Sequence, residues 1–276
     1  MIVQHNMTSL NANRQLGITN RALAKSTEKL SSGYRVNRAA DDAAGLSISE
    51  KMRAQVRGLN KASDNAQNGQ SLIQTAEGAM NEIHSVLQRM RELTVQASND
   101  TNVTADREAI AQELNQLTGE IDRIASQTEF NTMKLLSGGF DNKNFQVGAN
   151  TSQFINVSIK AMTASGLGVL SNAVGALVST GNSSSISPVI STVNAAIELV
   201  SKERSKLGAI QNRLDHTIDN ADNMAENLQS AESLIRDTDM ADEMVTFSAK
   251  SIIQQAGQSM LAQANQATQG VLSLLG

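Results

Sequence analysis

The sequence contains no cysteine and a single proline, Pro188, and only 2% of its 276 residues are aromatic. Without cysteine, disulfides and thiolate metal sites are excluded, which fits a reducing compartment or a chain that leaves its cell unfolded. With one proline, little interrupts helix formation. The hydrophobic fraction of 40% must therefore consist mainly of aliphatic residues and alanine, which favours long helices over a β-sandwich.

Targeting and membrane-spanning signals are also missing from the sequence. The first twenty residues contain no apolar run of signal-peptide length, so we expect no classical secretion. Residues 251–276 contain no charged side chain, yet glutamine, asparagine and serine interrupt them too often for a bilayer span. We therefore predict no membrane insertion, and we expect this segment to be an amphipathic helix that packs on protein.

The sequence offers no recognisable catalytic or metal-binding motif. Its three histidines, His5, His84 and His216, have no partner at ligand spacing. Residues 237–243, "DTDMADE", begin like a calcium loop but lack its turn glycine and distal glutamate. These acidic residues are better placed near a helix start, where they stabilise the helix dipole. We predict that the chain is not an enzyme and binds no cofactor or metal.

The charges of the two ends are complementary. Residues 1–40 carry six lysines and arginines against Glu28, whereas residues 237–276 carry four acidic residues against Lys250. The basic residues are spread at helical spacing without stacking aromatics, so nucleic-acid binding is not expected. The pattern favours contact between the two ends of the chain.

Heptad spacing is the strongest structural signal in the sequence. One unbroken 4-3 series predicts a helix of about fifty residues. Its members are Ile48, Met52, Gln55, Leu59, Ala62, Ala66, Gly69, Ile73, Ala76, Met80, Ile83, Leu87, Met90, Thr94 and Ala97. A second apolar row through Leu72, Ala79, Val86 and Leu93 widens the stripe, which indicates a helical bundle.

Shorter patterns fill the rest of the chain. Thr104 is predicted as the N-cap of a second helix that continues to Ile124, and alternation in "FQVGAN" and "FINVSIK" predicts a small β-hairpin region at about 137–180. Another long helix is predicted after Pro188, and Leu16, Leu23 and Leu30 mark an N-terminal helix. The predicted fold is mainly α, a long antiparallel helical hairpin or coiled-coil rod with a small β region and paired terminal helices.

Several long motifs identify a family. "MTSLNANRQL", "LSSGYRVNRAADDAAGLSISEKMRAQVRGL", "LQRMRELTVQASN", "EIDRIASQTEFNTMKLL", "FQVGAN" and the ending "AESLIRDTDMADEMVTFSAKSIIQQAGQSMLAQANQATQGVLSLLG" resemble bacterial flagellin. The resemblance covers both ends and most of the chain. It implies a structural subunit that self-assembles into the helical motility filament.

The resemblance also implies a domain organisation. Residues 1–42 and 237–276 would form an inner terminal-helix domain, and residues 43–236 a rod domain that includes the β region. The short distance between "FQVGAN" and Pro188 predicts a minimal subunit without large outer variable domains. The expected inner-core packing residues are Leu16, Leu23, Leu30, Met244, Phe247, Ile252, Ile253, Met260 and Leu261.

Partners follow from the same resemblance. Beside copies of itself, the chain is expected to meet a flagellar export chaperone at its C-terminal segment, and hook-associated and cap proteins. Unfolded export by the flagellar type III apparatus would place it outside the cell, in the filament. The host Toll-like receptor for flagellin would contact Arg89 and Leu93, with Glu113 from the adjoining helix. Two alternatives remain open: a hook-filament junction protein, and a secreted receptor ligand with no filament role.

Overall fold

The computed structural model describes residues 6–180 and 183–275. The described helices are α1 (Met7–Ser32), α2 (Ala43–Ala97), α3 (Thr104–Gln127), α4 (Ala164–Leu167), α5 (Ser171–Thr180), α6 (Ser183–Arg236) and α7 (Met240–Leu275). The described strands are β1 (Glu129–Phe130), β2 (Met133–Lys134), β3 (Lys143–Gln146) and β4 (Phe154–Val157). The prediction of a mainly α fold with long helices and a small β region is confirmed.

The chain divides into two compact units. The terminal unit comprises Met1–Gln55 with Glu226–Gly276, and the central unit comprises Val56–Ala225. Helices α2 and α6 each contribute residues to both units because each crosses a boundary between them.

Helices α1 and α7 pack against each other in the terminal unit. Helix α1 is capped by Asn6, whose Oδ1 accepts a 3.0 Å hydrogen bond from the Ser9 N–H, and it ends at Gly33 with φ 74°. Glycine adopts this left-handed conformation without the steric cost of a Cβ atom. The predicted pairing of the two terminal helices is confirmed.

The acidic segment before α7 acts as a helix cap. Asp239 Oδ1 accepts hydrogen bonds from the N–H groups of Ala241 and Asp242, at 2.8 and 3.3 Å. Asp242 and Glu243 lie in the first turn of α7, where negative charge stabilises the helix dipole. The predicted role of these acidic residues at a helix start is confirmed.

Helix α6 ends at Arg236, which contacts the segment that follows α1. The Arg35 N–H donates to the Arg236 carbonyl at 2.7 Å, and the Arg236 guanidinium lies 4.7 Å from the centre of the Tyr34 ring. The same guanidinium pairs with Glu50 at the start of α2, at 2.8 Å. These contacts hold the ends of three helices together within the terminal unit.

In the central unit, α2 and α6 run antiparallel. Gln70 donates to Asp215 at 2.9 Å, and Glu77, further along α2, pairs with Arg204, which comes earlier in α6, at 3.6 Å. Helix α3 packs antiparallel to α2, and α5 packs on α3. The core has contributions from α2, α3, α4, α5 and α6 and from the β region. Its largest fully buried members include Ile73, Met80, Ile83, Leu87, Met90, Leu114, Ile121, Leu135, Leu136, Phe140 and Met162.

The β structure consists of two separate antiparallel hairpins. Strand β3 pairs with β4, with Phe145 opposite Ile155, in the predicted region. Strands β1 and β2 form a second hairpin with a two-residue turn at Asn131–Thr132, which the sequence analysis missed. The predicted β region at 137–180 is too wide, since it also contains α4 and α5. In α5, Val174 and Val178 are buried four residues apart, which is a helical spacing.

Two further local predictions need correction. The N-cap of α3 is Val103, not Thr104, and its N–H donates to Asp106 Oδ2 at 3.2 Å. Helix α6 begins at Ser183 and therefore contains Pro188, instead of starting after it. The proline is the sixth residue of the helix, so its missing N–H removes one intrahelical hydrogen bond near the helix start.

The heptad seam of α2 is confirmed from Leu59 to Ala97 and is wrong at its beginning. Ile48 and Gln55 are exposed, whereas Ser49 and Val56 are buried. This segment buries a different face because Glu50 and Arg53 form ion pairs with Arg236 and Glu232 of α6.

Candidate assembly interface

Polar side chains join α1 and α7 at several points. Ser9 Oγ donates to Asn265 Oδ1 at 2.7 Å, and Gln254 Nε2 donates to Asn20 Oδ1 at 2.9 Å. Between them, a Cβ atom placed on Gly257 would lie 3.3 Å from Leu16 Cδ1, so the two helices approach closely there. Directional polar contacts therefore join the pair at both of these positions, with a close apolar approach between them.

A charged cluster anchors the other end of this pair. Ser26 Oγ donates to Glu243 Oε1 at 2.6 Å, Lys29 Nζ lies 3.5 Å from Glu243 Oε2, and Lys250 Nζ donates to Ser26 Oγ at 2.9 Å. The Ser26 hydrogen bond, together with the charge of Lys29, holds the pKa of Glu243 below its usual value. This cluster realises the predicted complementarity between a basic N-terminal segment and an acidic C-terminal one.

The predicted inner-core packing residues fall into two groups. Partly buried members are Leu16, Leu23, Leu30, Phe247 and Leu261. Exposed members are Met244, Ile252, Ile253 and Met260, each with about half or more of its surface accessible. The single chain thus gives the first group some cover and leaves the second group open. Their role in a filament stays a prediction.

Two exposed residues of α7, Val245 and Ile252, point away from α1. Val245 follows Glu243 by two residues, and Ile252 follows Lys250 by two, while Glu243 and Lys250 both contact α1. Two residues correspond to about 200° around a helix, so Val245 and Ile252 lie on the opposite side. They are 70% and 66% exposed.

Helix α1 repeats this arrangement. Met7 precedes Ser9 by two residues and Ile18 precedes Asn20 by two, while Ser9 and Asn20 contact α7. Met7 and Ile18 are exposed, as is Leu10. The sequence analysis missed these three, although their spacing of three and eight residues indicates one helical face.

The residues predicted to meet a receptor lie in the central unit, on α2 and α3. Arg89 Nε donates to Glu113 Oε1 at 3.1 Å, and Arg89 Nη1 donates to Glu92 Oε2 at 3.2 Å. These carboxylates, Glu113 foremost, hold the pKa of Arg89 above its usual value. Leu93 is only 2% exposed and packs in the core. Arg89 and Glu113 therefore offer accessible atoms, whereas Leu93, predicted as a main contact, is buried by its own subunit.

Beside this ion pair, α2 carries a shallow surface groove of about 580 Å³. It is lined by Gln88, Arg91, Glu92, Val95 and Gln96, which lie off the buried seam. Val95 is about half exposed and is the apolar member of this face. The outer side of α2 is thus uneven and chemically mixed, as a contact surface would be.

Titratable side chains do not gather into a metal site in the described part of the chain. There, no group of three or more histidine, aspartate or glutamate side chains could hold an ion. His84 and His216 are separate, and His5 lies outside the described residues. Among the helices in 6–180 and 183–275, none has the length and apolar character needed to cross a bilayer.

The fold and the surface define a class of protein. Both terminal helices carry large apolar side chains on the sides that face away from their partner, although these helices are well formed. Such faces are normally covered in a larger assembly. The chain is therefore a structural subunit with mainly helical architecture.

Comparisons with known proteins identify the family. The model for the bacterial flagellin N-terminal helical region matches residues 3–141, and that for the bacterial flagellin C-terminal helical region matches residues 190–275. The chain belongs to the bacterial flagellin family and is a structural subunit of the flagellar filament. The predictions of family and of a non-enzymatic, structural role are confirmed. Only residues 142–189 lie between the two matches, which agrees with the predicted minimal form.

Individual relatives support the assignment over the full length. A flagellin of Halalkalibacterium halodurans is 54% identical over 275 residues, and that of Bacillus subtilis is 48% identical over 303 residues, with 100% of both chains covered in each comparison. A solved structure from Vibrio parahaemolyticus, assigned to a flagellar hook-associated protein, has a TM-score of 0.62 and 12% identity, covering 71% of this chain and 99% of that one. At this identity the structural likeness concerns the fold alone.

Proposed function

We propose that this chain polymerises through the outward faces of α1 and α7, with residues 1–42 and 237–276 forming the inner layer of the filament and residues 43–236 the rod around it. The observation that carries the proposal is the exposure of apolar residues on both helices, on the sides that face away from each other. Burying each one contributes about 1.5–3 kcal/mol. Several such contacts per subunit, repeated along a lattice, offset the loss of subunit freedom on assembly.

Polar substitution on the outward face of α7 tests this proposal. We expect Val245→Asn with Ile252→Asn to leave the helix content of the monomer unchanged and to abolish polymerisation, measured by sedimentation after seeding. The matched control, Val245→Ile with Ile252→Leu, keeps both positions apolar and should polymerise like the parent chain. Polymer formation by the asparagine variant at the parent's critical concentration would refute the proposal.

A truncation tests the same proposal at larger scale. We expect removal of residues 237–276 to leave the central unit folded, because none of its core residues lies in that segment. The truncated chain should fail to sediment as polymer. Sedimentable filaments from it would show that α7 is dispensable for assembly.

We further propose that the chain is exported unfolded by the flagellar type III apparatus and acts outside the cell. The absence of cysteine supports this, since no disulfide would prevent threading of the chain. The segment from Asp237 onward would be held by an export chaperone, which would cover the exposed faces of α7 before secretion. In the completed filament, subunits would also meet hook-associated and cap proteins. Export is tested by comparing secretion of the full chain with that of the truncated chain in cells.

We also propose that the flagellin-sensing Toll-like receptor binds the free monomer. Arg89 and Glu113 are about half exposed and joined to each other, so they can offer a charged contact. Leu93 would affect recognition indirectly, because its packing in the core fixes the position of α2. Arg89→Ala should weaken signalling without unfolding the subunit. Arg123→Ala, which removes another exposed arginine that is paired with a glutamate, is the matched control. If Arg89→Ala signals as strongly as Arg123→Ala, Arg89 is not part of the receptor contact.

A hook-filament junction protein is the alternative role; a hook-associated protein shares this fold, while the family matches favour the filament subunit. The two roles differ in whether growth continues. Electron microscopy of dissociated protein returned to neutral pH with short seeds distinguishes them. Long helical filaments are expected from a filament subunit, and short caps from a junction protein. A secreted receptor ligand would give neither product while still activating the receptor.

A further inference from the structure

Methionine provides the only sulfur atoms of this chain, and its eleven residues fall in different environments. Met80, Met90 and Met162 are fully buried in the core of the central unit. On the terminal helices, in contrast, the exposed methionines are Met7, Met240, Met244 and Met260. Exposure of a thioether determines how readily an oxidant reaches it.

The exposed methionines lie on the accessible surface of the α1 and α7 pair, Met7 on the side of α1 away from α7 and the other three beside or away from the contact face of α7. Met240 and Met244 are four residues apart on α7 and therefore share one face. Met260 is 61% exposed near the other end of α7, and Met7 is 68% exposed on α1. No titratable side chain is needed for their reactivity, because a thioether carries no proton to lose.

We propose that Met7, Met240, Met244 and Met260 are oxidation sites through which peroxide prevents assembly of the free subunit. The inference rests on the proposed assembly function of these faces. A lone pair on the methionine sulfur attacks one oxygen of hydrogen peroxide, a sulfur–oxygen bond forms and the oxygen–oxygen bond breaks. The departing hydroxide leaves as water with the proton of the transferred oxygen. The sulfur loses two electrons and the peroxide gains them.

The product disfavours burial in a subunit contact. Methionine sulfoxide is polar and carries a strong hydrogen-bond acceptor, so burial without a donor costs free energy. An apolar contact surface that fits a flexible thioether offers few such donors. Oxidation therefore converts four contact points of the terminal helices into polar ones. The buried methionines of the central unit stay reduced, and the subunit keeps its fold.

The experiment uses the full chain as monomer, treated with hydrogen peroxide and then returned to assembly conditions with seeds. Mass spectrometry should find sulfoxide at Met7, Met240, Met244 and Met260 and not at Met80, Met90 or Met162. We expect the critical concentration for polymerisation to rise by about tenfold or more, with unchanged helix content. Treatment with both methionine sulfoxide reductases, one for each epimer, should restore polymerisation.

Two leucine variants locate the effect. Replacing all four residues, Met7, Met240, Met244 and Met260, by leucine conserves volume and should make assembly resistant to peroxide. Replacing Met133 and Met224, which are exposed in the central unit, is the matched control and should leave the sensitivity of the parent chain unchanged.

The possible outcomes distinguish failure of the oxidation proposal from failure of the proposed polymerisation. If the untreated parent chain fails to polymerise, the proposed function fails and the inference fails with it. If the untreated chain polymerises and its fully oxidised form does so at a critical concentration within about twofold, only the inference is overturned. Equal sensitivity of the four-leucine variant and the parent chain would overturn it as well.

Discussion

The hydroxyl group of Ser26 donates a 2.6 Å hydrogen bond to the carboxylate of Glu243, across 217 positions of sequence. Ser26 is buried and Glu243 is largely covered, so this is the most enclosed polar contact between α1 and α7. A polar pair in a helix interface fixes the register of the two helices, because any shift leaves its members without partners. The Glu243 carboxylate therefore helps to align the terminal helices, together with the Ser9–Asn265 and Gln254–Asn20 hydrogen bonds.

The pairing of α1 with α7 should weaken in acid. The pKa of Glu243 is lowered by Ser26 and then by Lys29, relative to its usual value of 4.5. A group whose folded pKa lies below its unfolded pKa contributes stability above the unfolded value and loses it as the pH falls through the folded one. Helix melting followed by circular dichroism from about pH 6 to pH 3 should show this loss.

Glu243→Gln should flatten this pH dependence and lower the stability of the pair at neutral pH. Asp242→Asn is the control, since it removes a neighbouring charge in the same turn of α7 without touching Ser26. A Glu243→Gln chain that keeps the acid sensitivity of the parent would assign that sensitivity to other carboxylates.

Two glycines of α2 should respond oppositely to alanine. A Cβ atom on Gly58 would lie 2.8 Å from the Cβ of Ala149 and 3.3 Å from its Cα, whereas one on Gly78 would meet nothing within 4 Å. Gly78→Ala should raise the free energy of unfolding by about 0.5–1 kcal/mol through helix propensity. Gly58→Ala should lower it by about 1–3 kcal/mol, because the loop after β3 must move. Urea unfolding of both variants measures the difference, and a stabilised Gly58→Ala chain would contradict the close contact.

Leu93 and Val95 lie two residues apart on α2 and should differ in their effect on stability. Leu93→Ala should lower the free energy of unfolding by about 2–5 kcal/mol, since it leaves a cavity in the core. Val95→Ala should change it by no more than about 0.5 kcal/mol, because the side chain faces solvent. Both are measured by chemical unfolding. If Leu93→Ala loses receptor signalling, its stability must be measured before the loss is attributed to a missing receptor contact.

The turn between β1 and β2 should be improved by glycine. Thr132 has φ 63°, and a β-branched residue is strained in this left-handed region. Thr132→Gly should raise the free energy of unfolding by about 1 kcal/mol, the steric relief exceeding the added flexibility of the unfolded chain. Asn131→Gly, at φ 48°, should gain less because asparagine tolerates this conformation. A larger rise in melting temperature for Asn131→Gly than for Thr132→Gly would contradict strain at Thr132.

Heptad spacing predicted burial well where one continuous core covers the helix. From Leu59 to Ala97 the predicted seam of α2 is buried, because the central unit packs helices and hairpins against that stripe. Ile48 and Gln55 follow the same spacing and are exposed, because ion pairs to α6 turn a neighbouring face inward. Periodicity identifies a stripe, and the positions of the other elements determine which part of it is covered.

The exposed apolar surface of the terminal helices was predicted only in part. Met244, Ile252, Ile253 and Met260 are predicted packing residues that are exposed in the single chain. Met7, Leu10 and Ile18 were missed because the spacing of Leu16, Leu23 and Leu30 marks the opposite side of the same helix. Both sides of α1 are apolar, and the sequence does not say which of them α7 covers. Leu93 was placed on a contact surface because a linear motif does not distinguish an exposed residue from one that supports it.

The sequence by itself determined the helical class, the long seam, the capping acids before α7 and the family, since these depend on local spacing and on motifs. The tertiary structure decided which apolar faces stay open, which polar pairs align α1 with α7, and that Leu93 is buried while Arg89 is not. Burial and pairing depend on elements that are far apart in the sequence, and these become neighbours only when the chain folds.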